Sequence, residues 1–207
     1  MKAPLTLGQI DMLPWYVFAA YWLITWLRVK RTVAAESLTQ RLLTILPMGL
    51  AVALLFSDSL RIWPLRLRFV PAEDWIVWSG IALTSLGVTV AIWARYCIGQ
   101  YWSARVTLKE GHRVIRSGPY AFVRHPIYTG MQLAASGRAI VLGEWRGVLA
   151  VVVIFLAHSC KALREEALLT TELGEEYASY RRGTGFLFPR FWRRDGMDRM
   201  DTRPGRS

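Results

Sequence analysis

The sequence predicts an all-α fold, an integral membrane bundle of about five spans with a cytoplasmic C-terminal helix. Three observations predict it: apolar runs separated by charged segments, a one-sided distribution of Lys and Arg, and an excess of Trp. The chain has 207 residues, 53% of them hydrophobic, and a mean hydropathy of +0.25. A soluble domain usually carries about 45–50% apolar residues. Ten Trp suit a protein with two membrane–water interfaces to anchor. A net charge of +11 would suggest nucleic acid in a soluble protein. Here the charges lie between apolar runs, so the expected partner is a lipid bilayer with anionic headgroups and not nucleic acid.

Five runs are candidate spans. Met12 to Leu27 is uncharged and starts near Pro14, a residue tolerated in the first turn of a helix. Leu42 to Phe56 follows, with Pro47 inside it as an expected kink. Trp75 to Ala94 is a run of 20 residues without a charge and is the clearest span. Pro126 to Gly143 contains one charge, Arg138, and the tight turn Gly143 to Gly147 leads into a short fifth run, Gly147 to Cys160. Runs below about 20 residues must tilt, thin the bilayer or pair as hairpins. Asp11 interrupts the first run and no small-residue cleavage site follows, so no secretory signal is expected. Cys97 and Cys160 sit in apolar surroundings without metal-ligand spacing, and inert buried thiols are expected. Arg190 to Ser207 reads as a loose basic tail.

The charges set the orientation. With the C-terminus inside, the inner segments hold 20 Lys and Arg, including Arg28, Arg95, Arg124 and all from Lys161 onward. The outer segments hold 5: Lys2, Arg61, Arg66, Arg68 and Arg146. Such a bias places Gln100 to Arg124 and everything after Lys161 in the cytoplasm.

Two inner stretches look unlike simple anchors. The first runs from Gly111-His112-Arg113-Val114-Ile115 through Gly118-Pro119-Tyr120 to Arg124-His125-Pro126-Ile127-Tyr128-Thr129-Gly130. Gly118-Pro119 is turn chemistry. Pro126 fits the first position of a helix, with His125 at its cap. Free N–H groups and the helix dipole there favour an anion such as a carboxylate, and Arg124 adds positive charge. An interfacial cap anchored by Tyr and Arg accounts for the same pattern. The second stretch is Lys161, Arg164, Glu165 and Glu166, followed by Leu169, Leu173, Tyr177 and Tyr180 on one helical face. Two acids approaching a buried face at a membrane boundary need partners. Lys161 and Arg164 are the local ones, and a solvated charge cluster is the plain alternative. Arg138 is an ionisable group within a span, a functional candidate that could equally snorkel or pair with Glu144.

Together, Arg-His-Pro-x-Tyr-x-Gly, Glu-Glu-x-x-Leu, Leu-Gly-Glu-Glu-Tyr-x-x-Tyr and the late Pro189 resemble the isoprenylcysteine carboxyl methyltransferase family, whose broader kin include phospholipid N-methyltransferases. The resemblance covers about Trp102 to Pro189. Together with the apolar runs and the composition of the tail, it divides the chain into membrane spans over 1–99, a methyltransferase region over 100–189 with the fourth and fifth spans, and a basic tail over 190–207. It implies S-adenosyl-L-methionine as cofactor, held by His112, Arg113, Val114, Ile115, Tyr120, His125, Pro126, Ile127, Tyr128 and Glu165, without the soluble Gly-x-Gly-x-x-Gly fingerprint. Lys161 stands where eukaryotic members carry an arginine facing the substrate carboxylate; charge is kept and the bidentate fork is lost. Leu173 stands where an aromatic is usual, and Gly183-Thr184 replaces Val-Pro.

The implied chemistry is methyl transfer to a lipophilic or prenylated acceptor. An α-carboxylate, which ordinarily titrates at about 3.3–3.7, is already ionised and needs no base; Lys161 or Arg164 would orient it. An amine must lose a proton, and Glu166 is then the candidate base. A phospholipid amine or a small thiol are alternative acceptors. An NADPH-dependent sterol reductase is the alternative of another class, and a membrane scaffold without activity the non-enzymatic one.

Overall fold

A computed structural model describes residues 6–26, 38–99, 102 and 114–190. Among them the chain forms five α-helices and no strand: α1 Leu7–Trp26, α2 Leu38–Phe56, α3 Asp74–Ile98, α4 Pro126–Leu142 and α5 Trp145–Gly183. α2, α3 and α5 each contain one of the apolar runs, α1 covers its run as far as Trp26, and α4 covers its run up to the Gly143 cap. The runs mark where the helices are, but α1, α2, α3 and α5 begin before their runs and α3 and α5 also end after them, in more polar sequence. Pro14 therefore lies well inside α1, not in its first turn. By length and composition α2, α3 and α5 are long and apolar enough to cross a membrane. Much of the outward surface is apolar: Val17 and Ile24 of α1, Leu42 and Leu46 of α2, Leu86 and Trp93 of α3, Val152 and Leu156 of α5 are all exposed. A protein in water rarely leaves so much contiguous apolar surface open; a lipid phase removes the penalty.

The tightest pairing is α3 on α4. Cβ atoms added at Gly87 or Gly130 would fall 2.3 Å from the Ala134 nitrogen and 2.6 Å from the Ala91 nitrogen, respectively. Gly137 likewise faces the Gly80 oxygen, at 2.5 Å. Small residues at these spacings let two backbones touch, which is how helices associate where lipid removes any hydrophobic drive. Thr84, fully buried between them, donates its hydroxyl to Gly80 O at 2.9 Å. Beside this pair, Leu54 and Leu55 of α2 pack with Ala135, Ala150 and Ile154 as a core.

One end of the bundle is closed by the α2–α3 connection. It lies across the α4–α5 turn, with Phe69 N–H donating to Gly143 O at 2.9 Å and Trp145 N–H to Leu67 O at 3.0 Å. Glu144 there accepts from Arg61 at 2.8 Å and from Arg146 at 2.7 Å. Glu144 is thus not the partner of Arg138. Arg138 reaches Asp11 of α1 instead, and donates to Leu55 O at 3.2 Å. Asp11, only 1% exposed, is the charge that interrupts the first apolar run, and the interruption is the other half of a buried pair.

At the opposite end α5 runs on past the fifth span without a break until Gly174, whose φ of 51° is open to glycine at little cost. The kink redirects the last turns toward residues 116–125. Tyr177 and Tyr180 are buried there, whereas Leu169 and Leu173 are half-buried, so the expected single face holds only in part. The two cysteines are free, and Cys160 is exposed, not buried as expected.

Candidate active site

The site residues come together because three segments meet at the C-terminal end of α3. The first is a 3-10 turn at Gly118–Ala121, which delivers Tyr120 into a small core with Ala94, Ile127 and Ile115. The second is the start of α4, with His125 at the N-cap and Pro126 in its first turn, as the motif predicts. The third is the stretch after α5. Gly185 N–H donates to Phe122 O at 3.0 Å, and Arg124 N–H to Gly185 O at 2.8 Å. Thr129 adds a side-chain bond to Leu187 O at 2.7 Å. Residues 184–189 are thereby strapped along the entry to α4.

Into this frame α5 places its two acids. Tyr128 donates its hydroxyl to Glu165 Oε1 at 2.7 Å. His125 Nε2 lies 3.2 Å from Glu166 Oε1, and His125 Nδ1 lies 3.6 Å from Glu165 Oε2, beyond a hydrogen bond but well within charge range. Glu166 is clamped harder, by Arg124 Nε at 2.6 Å and Arg181 Nε at 3.5 Å. Lys161 comes within 3.9 Å of Glu165 and 5.5 Å of the Tyr128 ring centre. The rings of His125, Tyr128 and His158 form a stack, with centroid spacings of 5.6 Å and 4.6 Å. Tyr180 closes the back by donating its hydroxyl to Tyr120 O at 2.7 Å.

Burial pushes the His125 imidazole pKa down, but the two carboxylates, Glu165 by its nearby charge and Glu166 by its hydrogen bond and charge, outweigh it and leave the value above the ordinary 6.5. Burial holds the Tyr120 phenol well above its usual range, so its hydroxyl keeps its proton.

The structure therefore joins Tyr120, His125, Pro126, Ile127, Tyr128, Lys161, Glu165 and Glu166 in one neighbourhood. Ile115 packs against its core, and Val114 is half-buried beside it. His112 and Arg113 lie outside the described residues, as do residues 191–207 of the expected tail. Arg164 is the exception: it turns to α2, donating to Gln40 O at 3.3 Å and Thr44 Oγ1 at 3.0 Å. Three participants, Arg124, His158 and Arg181, are missing from the residues given site roles above. Arg124 heads the Arg-His-Pro motif, but only the fold reveals that it grips Glu166. His158 stands alone in an apolar run, where nothing in its spacing pairs it with Tyr128. An apolar groove opens beside the Tyr128 and His158 rings, walled by α3, α4, α5 and the strap.

Residues 80–170 match the isoprenylcysteine carboxyl methyltransferase family. The chain is 30% identical over 101 residues to protein-S-isoprenylcysteine O-methyltransferase of Schizosaccharomyces pombe, covering 42% of this chain and 43% of that protein. It is 30% identical over 83 residues to YpbQ of Bacillus subtilis, covering 40% and 48%. The cobalt-zinc-cadmium resistance protein CzcN of Cupriavidus metallidurans is 28% identical over 159 residues, covering 70% and 71%. The chain thus spans less than half the length of the first two. Both motifs that bring acids and aromatics together here fall inside the matched stretch, and it is to the isoprenylcysteine carboxyl methyltransferase family that this part of the chain is similar.

Proposed function

We propose that the chain is a multi-pass membrane methyltransferase that uses S-adenosyl-L-methionine at a cytoplasmic site and methylates a carboxylate of a lipid-like, isoprenylcysteine-type acceptor. The observation that carries this reading is the Tyr128–Glu165 bond, which ties the Arg-His-Pro-x-Tyr-x-Gly segment to the Glu-Glu pair. The side chains present fit the cofactor. Glu165 offers a carboxylate to an ammonium or a ribose hydroxyl. Lys161 and His125 offer positive charge to a carboxylate, and Tyr120, Pro126, Ile127 and Tyr128 offer apolar surface. The cofactor, when bound, supplies an electrophilic methyl group.

The protein's own residues have three tasks. They hold the acceptor oxygen in line, keep water out and match charge. Lys161 is placed to orient an anionic acceptor. Arg164, facing α2, has at most a long-range electrostatic share. Glu166 is already engaged by Arg124, His125 and Arg181. A carboxylate so engaged is a poor free base, which favours an acceptor that needs none. The groove would admit an apolar chain sideways from the bilayer, while the cofactor arrives from the aqueous side that the Lys and Arg bias marks as cytoplasmic.

The test is S-adenosylhomocysteine binding to purified protein in detergent, with NADPH as the comparison ligand. Glu165→Gln removes a charged hydrogen bond worth about 1.5–3 kcal/mol. That corresponds to roughly a 10- to 150-fold loss of affinity at 1.4 kcal/mol per tenfold. Equal affinities in wild type and variant, or binding of NADPH alone, would overturn the assignment. A C-terminal reporter active only outside the cytoplasm should stay silent.

A further inference from the structure

His158 makes no bond that accounts for its place. It is only 4% exposed. Its Nδ1 is shut off from solvent, and its ring makes no hydrogen bond or ion pair among the described residues. A buried polar atom left unpaired costs stability, so some other contact of the ring must offset it. That contact is Tyr128 of α4, 4.6 Å away between ring centroids and within 14° of parallel.

Tyr128 stands on a border. Its ring lines the apolar groove, whose volume is about 390 Å³, and its hydroxyl donates to Glu165 Oε1 at 2.7 Å on the polar side. The groove leaves open volume beside the ring. Two rings oppose a turn into it. His125, at the cap of the same helix, stacks on Tyr128 at 5.6 Å and 7°. His158 comes from α5 and stacks closer. His158, Lys161 and Glu165 follow at i, i+3 and i+7, so they share one face of α5. The helix that carries the acid thus also carries the ring that steers the tyrosine onto it.

We propose that His158 is a positioning residue. Its ring holds the Tyr128 phenol against turning into the groove, and so keeps the hydroxyl on Glu165, the acid proposed to meet the cofactor. Without the stack, Glu165 loses its one short bond and retains the long contacts to His125 at 3.6 Å and Lys161 at 3.9 Å. A carboxylate fixed by a tyrosine presents its second oxygen in one direction. Released, it turns toward the two cations and meets an incoming donor less well. The nitrogens of His158 take no part, so an apolar ring of like shape performs the same task and an aliphatic chain does not. That the positioned acid serves the cofactor rests on the methyltransferase reading; that the stack holds the bond does not.

The experiment uses the full chain in detergent, with 3-fluorotyrosine in place of tyrosine, and follows Tyr128 by ¹⁹F resonance. The chain has 8 Tyr, and Tyr128→Phe assigns the signal. Glu165→Gln changes the acceptor of the hydroxyl, so it should shift the Tyr128 resonance. The same shift should appear in the His158→Phe background and vanish in the His158→Leu background. S-adenosylhomocysteine affinity should fall about three- to tenfold in His158→Leu, the worth of an aromatic pair, and hold in His158→Phe. A full Glu165→Gln shift in the His158→Leu background overturns the proposal. So does a loss of affinity in His158→Phe equal to that in His158→Leu, which assigns the role to the ring nitrogens. Should His158→Leu fail to fold, His158→Ile carries the same comparison. Wild type that shows the Tyr128 coupling and binds no S-adenosylhomocysteine removes the methyltransferase reading and leaves the stack standing. Binding that His158→Leu does not alter, with the coupling intact, does the reverse.

Discussion

Both ends of the bundle bury acids, and they treat them in opposite ways. At the α4–α5 turn, Glu144 is held by two arginines at 2.8 Å and 2.7 Å, and Arg146 goes on to bond Ser57 O at 2.7 Å. Its carboxylate oxygens have short, fixed donors, and the loop over the turn cannot leave without breaking them. At the other end Glu165 has one short bond, to Tyr128, and two long contacts, to His125 and Lys161. Its side chain is 22% exposed against 4% for Glu144. A donor arriving from outside can displace a 3.9 Å contact at little cost, and cannot displace a 2.7 Å bond between two buried ions. The first arrangement is a latch, and the second leaves room for a new donor, as the proposed cofactor role of Glu165 requires. The same contrast separates the neighbours Glu165 and Glu166, since Glu166 is as firmly clamped as Glu144.

The largest effects should come from breaking latches. Removing one member of a buried ion pair costs about 3–5 kcal/mol because the other charge is stranded. Glu144→Gln and Arg138→Leu should each lower stability in detergent by that order, measured by thermal unfolding, with S-adenosylhomocysteine affinity of the folded fraction unchanged. The Asp11→Leu/Arg138→Leu double variant should regain most of the loss. If Arg138→Leu instead melts like wild type but turns over more slowly, the residue serves a substrate and not α1. Glu166→Gln should behave as a latch variant, whereas Glu165→Gln should melt near wild type and lose affinity. Matching losses of stability in the two would dissolve the distinction between them.

A smaller effect concerns pH. His125 has a raised value in the folded state. Its charged pairing with the two acids therefore contributes stability that is full below about pH 6.5 and is lost as pH rises through the raised value. Melting temperature should fall over that window in wild type, and His125→Phe should flatten the slope. The smallest effect is expected at Glu175, exposed and paired with exposed Arg182. Glu175→Gln should change stability by about 0–1 kcal/mol and leave binding alone.

The sequence allowed the helices to be placed because lipid-facing runs are long and uninterrupted, and the positions of Pro126 and Gly143 to Gly147 marked ends that chain geometry makes unavoidable. Contacts between helices were less legible. Asp11 reads as a flaw in an apolar run until Arg138, 127 positions away, is seen against it. Arg164 reads as a neighbour of Glu165, yet adjacent residues on a helix project some 100° apart, and it faces α2. The α3–α4 glycines carry no hydropathy signal at all; their content is the space they do not fill. The candidate site was legible where residues are few and chemically loud, as in Arg-His-Pro and Glu-Glu. It was silent at His158, whose meaning lies in the ring stacked on it.

The strap over residues 184–189 has a consequence for biosynthesis. Its partners, Phe122 to His125 and Thr129, are made some sixty residues earlier. A nascent chain can insert all five helices and still lack one wall of the groove and one rail of the α4 entry until Gly185 to Leu187 have left the ribosome. Assembly of the site thus comes after the helices have formed, and a product terminated before Gly185 would be a helical bundle with an unfinished pocket.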